Sequence, residues 1–136
     1  MGSFADYLEN SVLNLVFGNT AFVPSGTLHL ALSTADPTDD GTGLTEPLAG
    51  SGYARAAVDN DKTTWTVSSA GTLNNDIDIT WPEATGAGWG TITHLAIMSQ
   101  PTGTQMLAHG ALSVSKAIDD GDTARVSAGN LQISLT

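Results

Sequence analysis

Near the end of the chain, apolar residues alternate with polar ones in three bursts, residues 91–98, 105–112 and 131–136, each bounded by Gly, Pro, Asp or Asn. Successive side chains of an extended strand point to opposite faces, so a period of two predicts strands with one buried and one wet face. The pattern recurs upstream. Residues 27–33 set Leu28, Leu30 and Leu32 against His29 and Ala31, and residues 73–81 set Ile77, Ile79 and Trp81 against Asp76, Asp78 and Thr80. Shorter extended stretches are expected at 53–58, 65–68, 116–118 and 125–127. Seven or eight short strands, about ten residues apart and separated by turn residues, predict a sandwich or barrel. Residues 91–98 and 105–112 are expected to form a hairpin, and with Met98 facing Gln105 its register sets His94 opposite His109.

The first residues carry a different period. Phe4, Tyr7, Leu8, Val12, Leu15 and Val16 share one face at helical spacing, which predicts an amphipathic helix laid on the sheet. Ser3 is placed to cap its first turn, Asp6 resembles the partner residue of a capping box, and Gly18 is a natural stop. Leu13 and Phe17 fall on the opposite side, among Asp6, Glu9 and Asn10. Either they are exposed at a fraying end, or a neighbouring subunit grips the helix from its second side. The expected fold class is therefore all-β: an antiparallel β-sandwich of jelly-roll or immunoglobulin-like type, preceded by one α-helix. At 136 residues the chain has the size of one domain, with the helix at 1–18 and the sandwich at 27–136. Residues 35–52 hold four Gly, two Pro and four acidic residues without periodicity, and read as a long surface loop.

Composition narrows the function classes. Fourteen acidic residues stand against only Arg55, Lys62, Lys116 and Arg125, a formal net charge of −10. That charge repels the phosphates of nucleic acid and of anionic membranes, so neither is an expected partner. Cysteine is absent, which removes disulfides and thiolate metal sites. No stretch approaches the ~20 apolar residues of a membrane span. Asp6 and Glu9 stand where a signal peptide would be basic.

Several residue groups invite a chemical reading, and each has a plainer one. His94 and His109 on one sheet face would reach a shared metal, but cross-strand polar contacts account for such a pair equally well. Asp36, Thr38, Asp40 and Gly41 imitate the start of a calcium loop; Glu46 and Pro47 then break the pattern, leaving a solvated acidic loop. Asp119, Asp120 and Asp122 around Gly121 make an ordinary acidic turn. Trp65, Trp81 and Trp89 could stack on sugars or anchor the core. No nucleophile elbow, phosphate-binding loop or dinucleotide fingerprint is present, so no catalytic residue, metal or cofactor is assigned.

The order of motifs along the chain carries more than any single residue. Ser3-Phe4-Ala5-Asp6-Tyr7-Leu8-Glu9-Asn10 is followed by Val16-Phe17-Gly18, then Ala31-Leu32-Ser33-Thr34-Ala35-Asp36-Pro37 and Gly52-Tyr53-Ala54-Arg55. Trp89-Gly90-Thr91-Ile92-Thr93-His94, Gly121-Asp122-Thr123 and Ala128-Gly129-Asn130-Leu131 complete the series. Over nearly its whole length the chain resembles a family of small tailed-bacteriophage virion proteins labelled tail fibre or minor structural proteins. The resemblance implies a non-enzymatic component of the phage particle.

A fibre shaft needs heptads or repeated β-structure, and the sequence has neither. A multi-copy capsid decoration (cement) protein on the particle exterior is therefore the first expectation. A tail or tail-fibre-associated protein comes second, and a carbohydrate-binding module for receptor recognition third. Partners would be the major capsid protein or tail proteins, together with further copies of the chain, for instance in a trimer. The expected contacts are Phe4, Tyr7, Leu13 and Phe17 on the helix and Asp36, Asp39 and Asp40 on the acidic loop.

Overall fold

The strongest alternations become the central strands. The computed structural model describes residues 3–135. Along the chain run β1 (Ser3–Phe4), α1 (Asp6–Phe17), β2 (Thr27–Ser33), β3 (Ala56–Asp59), β4 (Thr72–Asn74), β5 (Ile79–Glu83), β6 (Gly90–Met98), β7 (Met106–Ile118), β8 (Thr123–Val126) and β9 (Gln132–Ser134). One sheet has the order β1-β7-β6-β2-β3, and every pairing in it is antiparallel. Two antiparallel two-stranded ladders, β4-β9 and β5-β8, stand apart from that sheet. The fold is the expected all-β sandwich with a helix near its start, and eight strands follow Thr27 among the described residues.

The core explains the arrangement. Leu28, Leu30 and Leu32 of β2 and Leu95 and Ile97 of β6 turn one face of the sheet toward Ile79 and Trp81 of β5, with Trp65, Trp89 and Leu131 closing the cluster. Full burial of such side chains stabilises the fold by roughly 1.5–3 kcal/mol each. Trp81 Nε1–H donates to Leu30 O (3.0 Å) and Trp89 Nε1–H to Ser51 O (2.8 Å), so both rings are buried with their polar edge satisfied. All three tryptophans are core residues. A tryptophan platform for sugars is therefore ruled out. On the other face of the sheet a smaller cluster joins Ala5, Ala31, Ala96, Met98 and Met106.

Several local expectations are corrected. The helix starts at Asp6, because Ser3 and Phe4 pair as a strand with His109 and Ala108 of β7. The residue at the cap is Ala5, which offers no side-chain hydrogen bond; the Asp6 amide instead donates to Asp39 O (3.0 Å). At the other end the left-handed residue is Asn19 (φ 48°) and not Gly18, and the amides of Gly18 and Thr20 both close onto Asn14 O. The predicted buried helix face is not buried: α1 has no buried residue, and Leu8 and Val12 are only half-buried.

Residues 65–68 form no strand, only a bridge from Trp65 to Asn75. The stretch 73–81 splits at Asn75, whose buried amide donates to Ile77 O and Ser127 O and accepts from the Leu131 amide, satisfying backbone that has left the ladder. Pro82 lies inside β5, where the register with β8 shifts between Thr80 and Glu83 and no amide is required. Leu135, in the last of the alternating bursts, is exposed.

The β6–β7 pairing is the least regular part of the sheet. Met98 faces Met106 and Ala96 faces His109, so His94 lies opposite Ala111 and the two histidines are not cross-strand partners. Further on, His94 pairs with Ala111 but Ile92 with Lys116, leaving Thr93 alone across from Leu112, Ser113, Val114 and Ser115. β7 swings out of the sheet there, and Val114 is 76 % exposed.

Candidate interaction surface

The loop at 35–52 has no regular structure, but it is fastened at each end. Ser33, fully buried at the end of β2, donates to Ala35 O (2.7 Å) and accepts from the Thr45 amide (3.0 Å). Glu46 meets Arg55 in a two-point fork, Nε to Oε1 at 2.9 Å and Nη2 to Oε2 at 2.8 Å. The same guanidinium donates to Gln100 O and Gly103 O in the turn between β6 and β7, so one side chain joins two loops. Tyr53 donates to Glu46 Oε1 (2.6 Å) and accepts from the Leu32 amide (3.0 Å), linking the ion pair to the central sheet.

The Arg55 side chain is only 5 % exposed. Burial pushes the Glu46 carboxyl up, but the hydrogen bonds from Arg55 and Tyr53 outweigh it and hold the group below the usual glutamate range. Burial, together with the bond to Glu46, raises the Tyr53 phenol far above its ordinary value. Within the loop the Gly43 amide donates to Pro37 O (2.9 Å), and a Cβ at Gly43 would collide with the carbonyl of Asp36, so only glycine fits.

The expected acidic contacts serve different ends. Asp40 is turned inward on its loop, accepting from the Thr38 hydroxyl and from the amide and hydroxyl of Thr42, bonds that lower its carboxyl. Asp39 reaches across to the first strand. Its Oδ1 accepts from His109 Nε2 (2.8 Å) and from Ser3 Oγ (2.7 Å), and these two bonds hold it below the ordinary aspartate range. Asp36 lies 3.8 Å from the other ring nitrogen of His109. Phe4, half-buried, pairs with Ala108 beside this cluster, which pins β1 to β7 and to the loop.

Serine, histidine and aspartate in contact suggest a nucleophile, but the geometry is wrong for one. A catalytic triad needs the serine on one ring nitrogen and the carboxylate on the other. Here both meet Nε2, and the serine hydroxyl donates to Asp39 instead of giving its proton to the ring. The cluster is a clasp. Among the described residues no three His, Cys, Asp or Glu side chains are placed to share a metal ion.

The helix carries a cluster of exposed apolar side chains. Phe17 is 83 % exposed and Leu13 55 %; Leu15, Val16 and the nearby Val23 are open as well. Tyr7, also exposed, lines a groove with Leu8, Phe22 and Val23. The helix packs chiefly on β7, and Leu13 and Phe17 lie in its C-terminal half. A larger groove of about 620 Å3 opens beside the outward swing of β7. Its floor is Leu32, Trp81, Ile92 and Leu95, and Lys116 and Arg125 stand among its lining residues. Neither the clasp nor this groove had a sequence signal: Ser3 and His109 are 106 positions apart, and the groove follows from a register shift.

Comparison with protein families gives a match over residues 3–134 to the family described as podophage GP4 fiber I protein gp80. The chain belongs to this family. It is a fibre-type structural protein of a bacteriophage virion, which agrees with the resemblance carried by its motifs. A comparison with curated proteins found no match. Family membership implies association with other virion proteins.

Proposed function

We propose that this fibre-family chain is a non-enzymatic module on the exterior of the particle, sitting at the tail and attached to other virion proteins through α1. The observation that carries this reading is the helix itself. A helix of 12 residues is marginal alone in water, and none of the side chains of this one is fully buried in its own fold. Leu13 and Phe17, on the side away from the predicted sheet-facing stripe, remain open for a partner, with Tyr7 nearer the sheet. Asp39 and Asp40 act one step back, holding the loop and the first strand that position α1.

The fibre description favours the tail over the capsid shell. Capsid decoration is the second reading, supported by short strands in two layers without a shaft-like repeat among the described residues. Immunogold labelling of intact virions with an antibody to the chain separates the two. Label at the tail is expected, label spread over the head favours decoration, and unlabelled particles that lack the protein on gels overturn both. Particles assembled with Leu13→Asp/Phe17→Asp are expected to lose the protein; normal incorporation of that variant would remove α1 as the attachment element.

A further inference from the structure

We propose that the C-terminal end of α1 from one copy of the chain seats in the groove beside the β7 bulge of a second copy. Phe17 would lie against the apolar floor, and Lys116 and Arg125 would face the helix end. This rests on the reading of α1 as a contact element and names its partner.

Charge selects the occupant. Two of the chain's four basic residues, Lys116 and Arg125, line this groove, and no acidic residue does, although the chain has fourteen. Arg125 also touches the exposed Asp78 at 3.2 Å, which leaves Lys116 as the groove's uncommitted cation among the described contacts. The docking end of the helix carries no cation: Asp6 and Glu9 lie in the first turn, away from the contact, and the last turn has no basic residue to offset the partial negative charge of its C-terminal carbonyls. Two copies of a chain with net charge −10 repel each other over most of their surfaces, so contact is favoured where the local sign is reversed.

Shape points the same way. A groove of about 620 Å3 accepts a few large side chains and not the flank of a whole helix. The end of α1 presents such a set, Leu13, Val16 and Phe17, all exposed. Donor and acceptor are different patches of one chain, so two copies can exchange helices reciprocally across a two-fold axis, or the contact can repeat head-to-tail and close into a ring such as a trimer.

The absence of cysteine makes a direct test available. Full-length Val16→Cys chains, which keep Phe17, carry one tag and are mixed with full-length Val114→Cys chains carrying another and oxidised gently. A disulfide containing both tags can form only between copies. The mixed product is expected to exceed clearly that formed with Val67→Cys, an exposed position outside the groove. Adding Lys116→Glu to the Val114→Cys partner is expected to weaken association about tenfold. Mixed product no greater than with the Val67→Cys control overturns the proposal. If the product is absent while Leu13→Asp/Phe17→Asp still abolishes incorporation into virions, α1 binds a different virion protein; the attachment reading then stands and this one falls.

Discussion

Residues 35–52 and α1 solve the problem of order in opposite ways. The loop has no repeating hydrogen bonds, yet a buried serine, an almost fully covered arginine and a glycine that admits no Cβ fix its course. The helix satisfies its own backbone and is only half-covered, at Leu8, Ser11 and Val12, with Ala5 in the small cluster against Met98 and Met106 just before it. Regularity of the backbone and integration into the fold are thus separate properties. The irregular segment is the built one, and the regular segment is the one left open.

This contrast sets the expected effects of mutation. The largest is at Arg55. Arg55→Ala strands Glu46 half-buried without its partner and releases the turn beyond β6, and is expected to cost about 3 kcal/mol in denaturant unfolding; a loss no greater than that of an exposed helix variant would break the comparison. A smaller effect comes with acid. Glu46, Asp39, Asp40 and Asp61 all have lowered carboxyl pKa values in the folded chain.

A carboxyl lowered by folding adds stability above its unfolded pKa and loses it as pH falls through the folded one, so the unfolding midpoint should drop below about pH 4.5. Glu46→Gln is expected to flatten that decline, and an unchanged slope would mean that the ion pair has no part in it. The smallest effect on stability is at the helix. Leu13→Asp and Phe17→Asp should each change it by less than about 0.5 kcal/mol, since neither side chain is buried in the chain's own fold; a loss comparable to that of Arg55→Ala would show that the helix is integrated after all.

Much of the fold was legible because its central strands are ordinary. β2 keeps a period of two throughout and β6 keeps it from His94 to Met98, and the leucines and isoleucines of these runs are in the core. Legibility failed where side chains stand in for backbone or where register slips. Ser3 looked like a helix cap because serine caps helices, but its hydroxyl is used by Asp39, seventy residues before the histidine that shares it. The strand expected to run from Leu73 to Trp81 breaks at Asn75, an amide that takes over three backbone partners. β7 continues to Ile118 past the point where its alternation ends, because four of its residues bulge opposite Thr93.

Of the expected contact residues, Leu13 and Phe17 are where the helical wheel put them, on open surface, while Asp39 and Asp40 are spent on contacts inside the chain. The Arg55–Glu46–Tyr53 link had no visible signature. It depends on one connection folding back on itself and meeting the β6–β7 turn, which no periodic pattern encodes.

The bulge in β7 has a consequence for solubility. Beyond His109 no strand pairs with the outer edge of β7 among the described residues, and a long open edge is a template on which identical chains can zip into an unlimited sheet. Displacement of residues 112–115 from the sheet breaks the straight row of amides and carbonyls that such growth requires, and Lys116 puts a charge beside the break. Chains brought close together can therefore lie side by side without their exposed strands joining into fibrils.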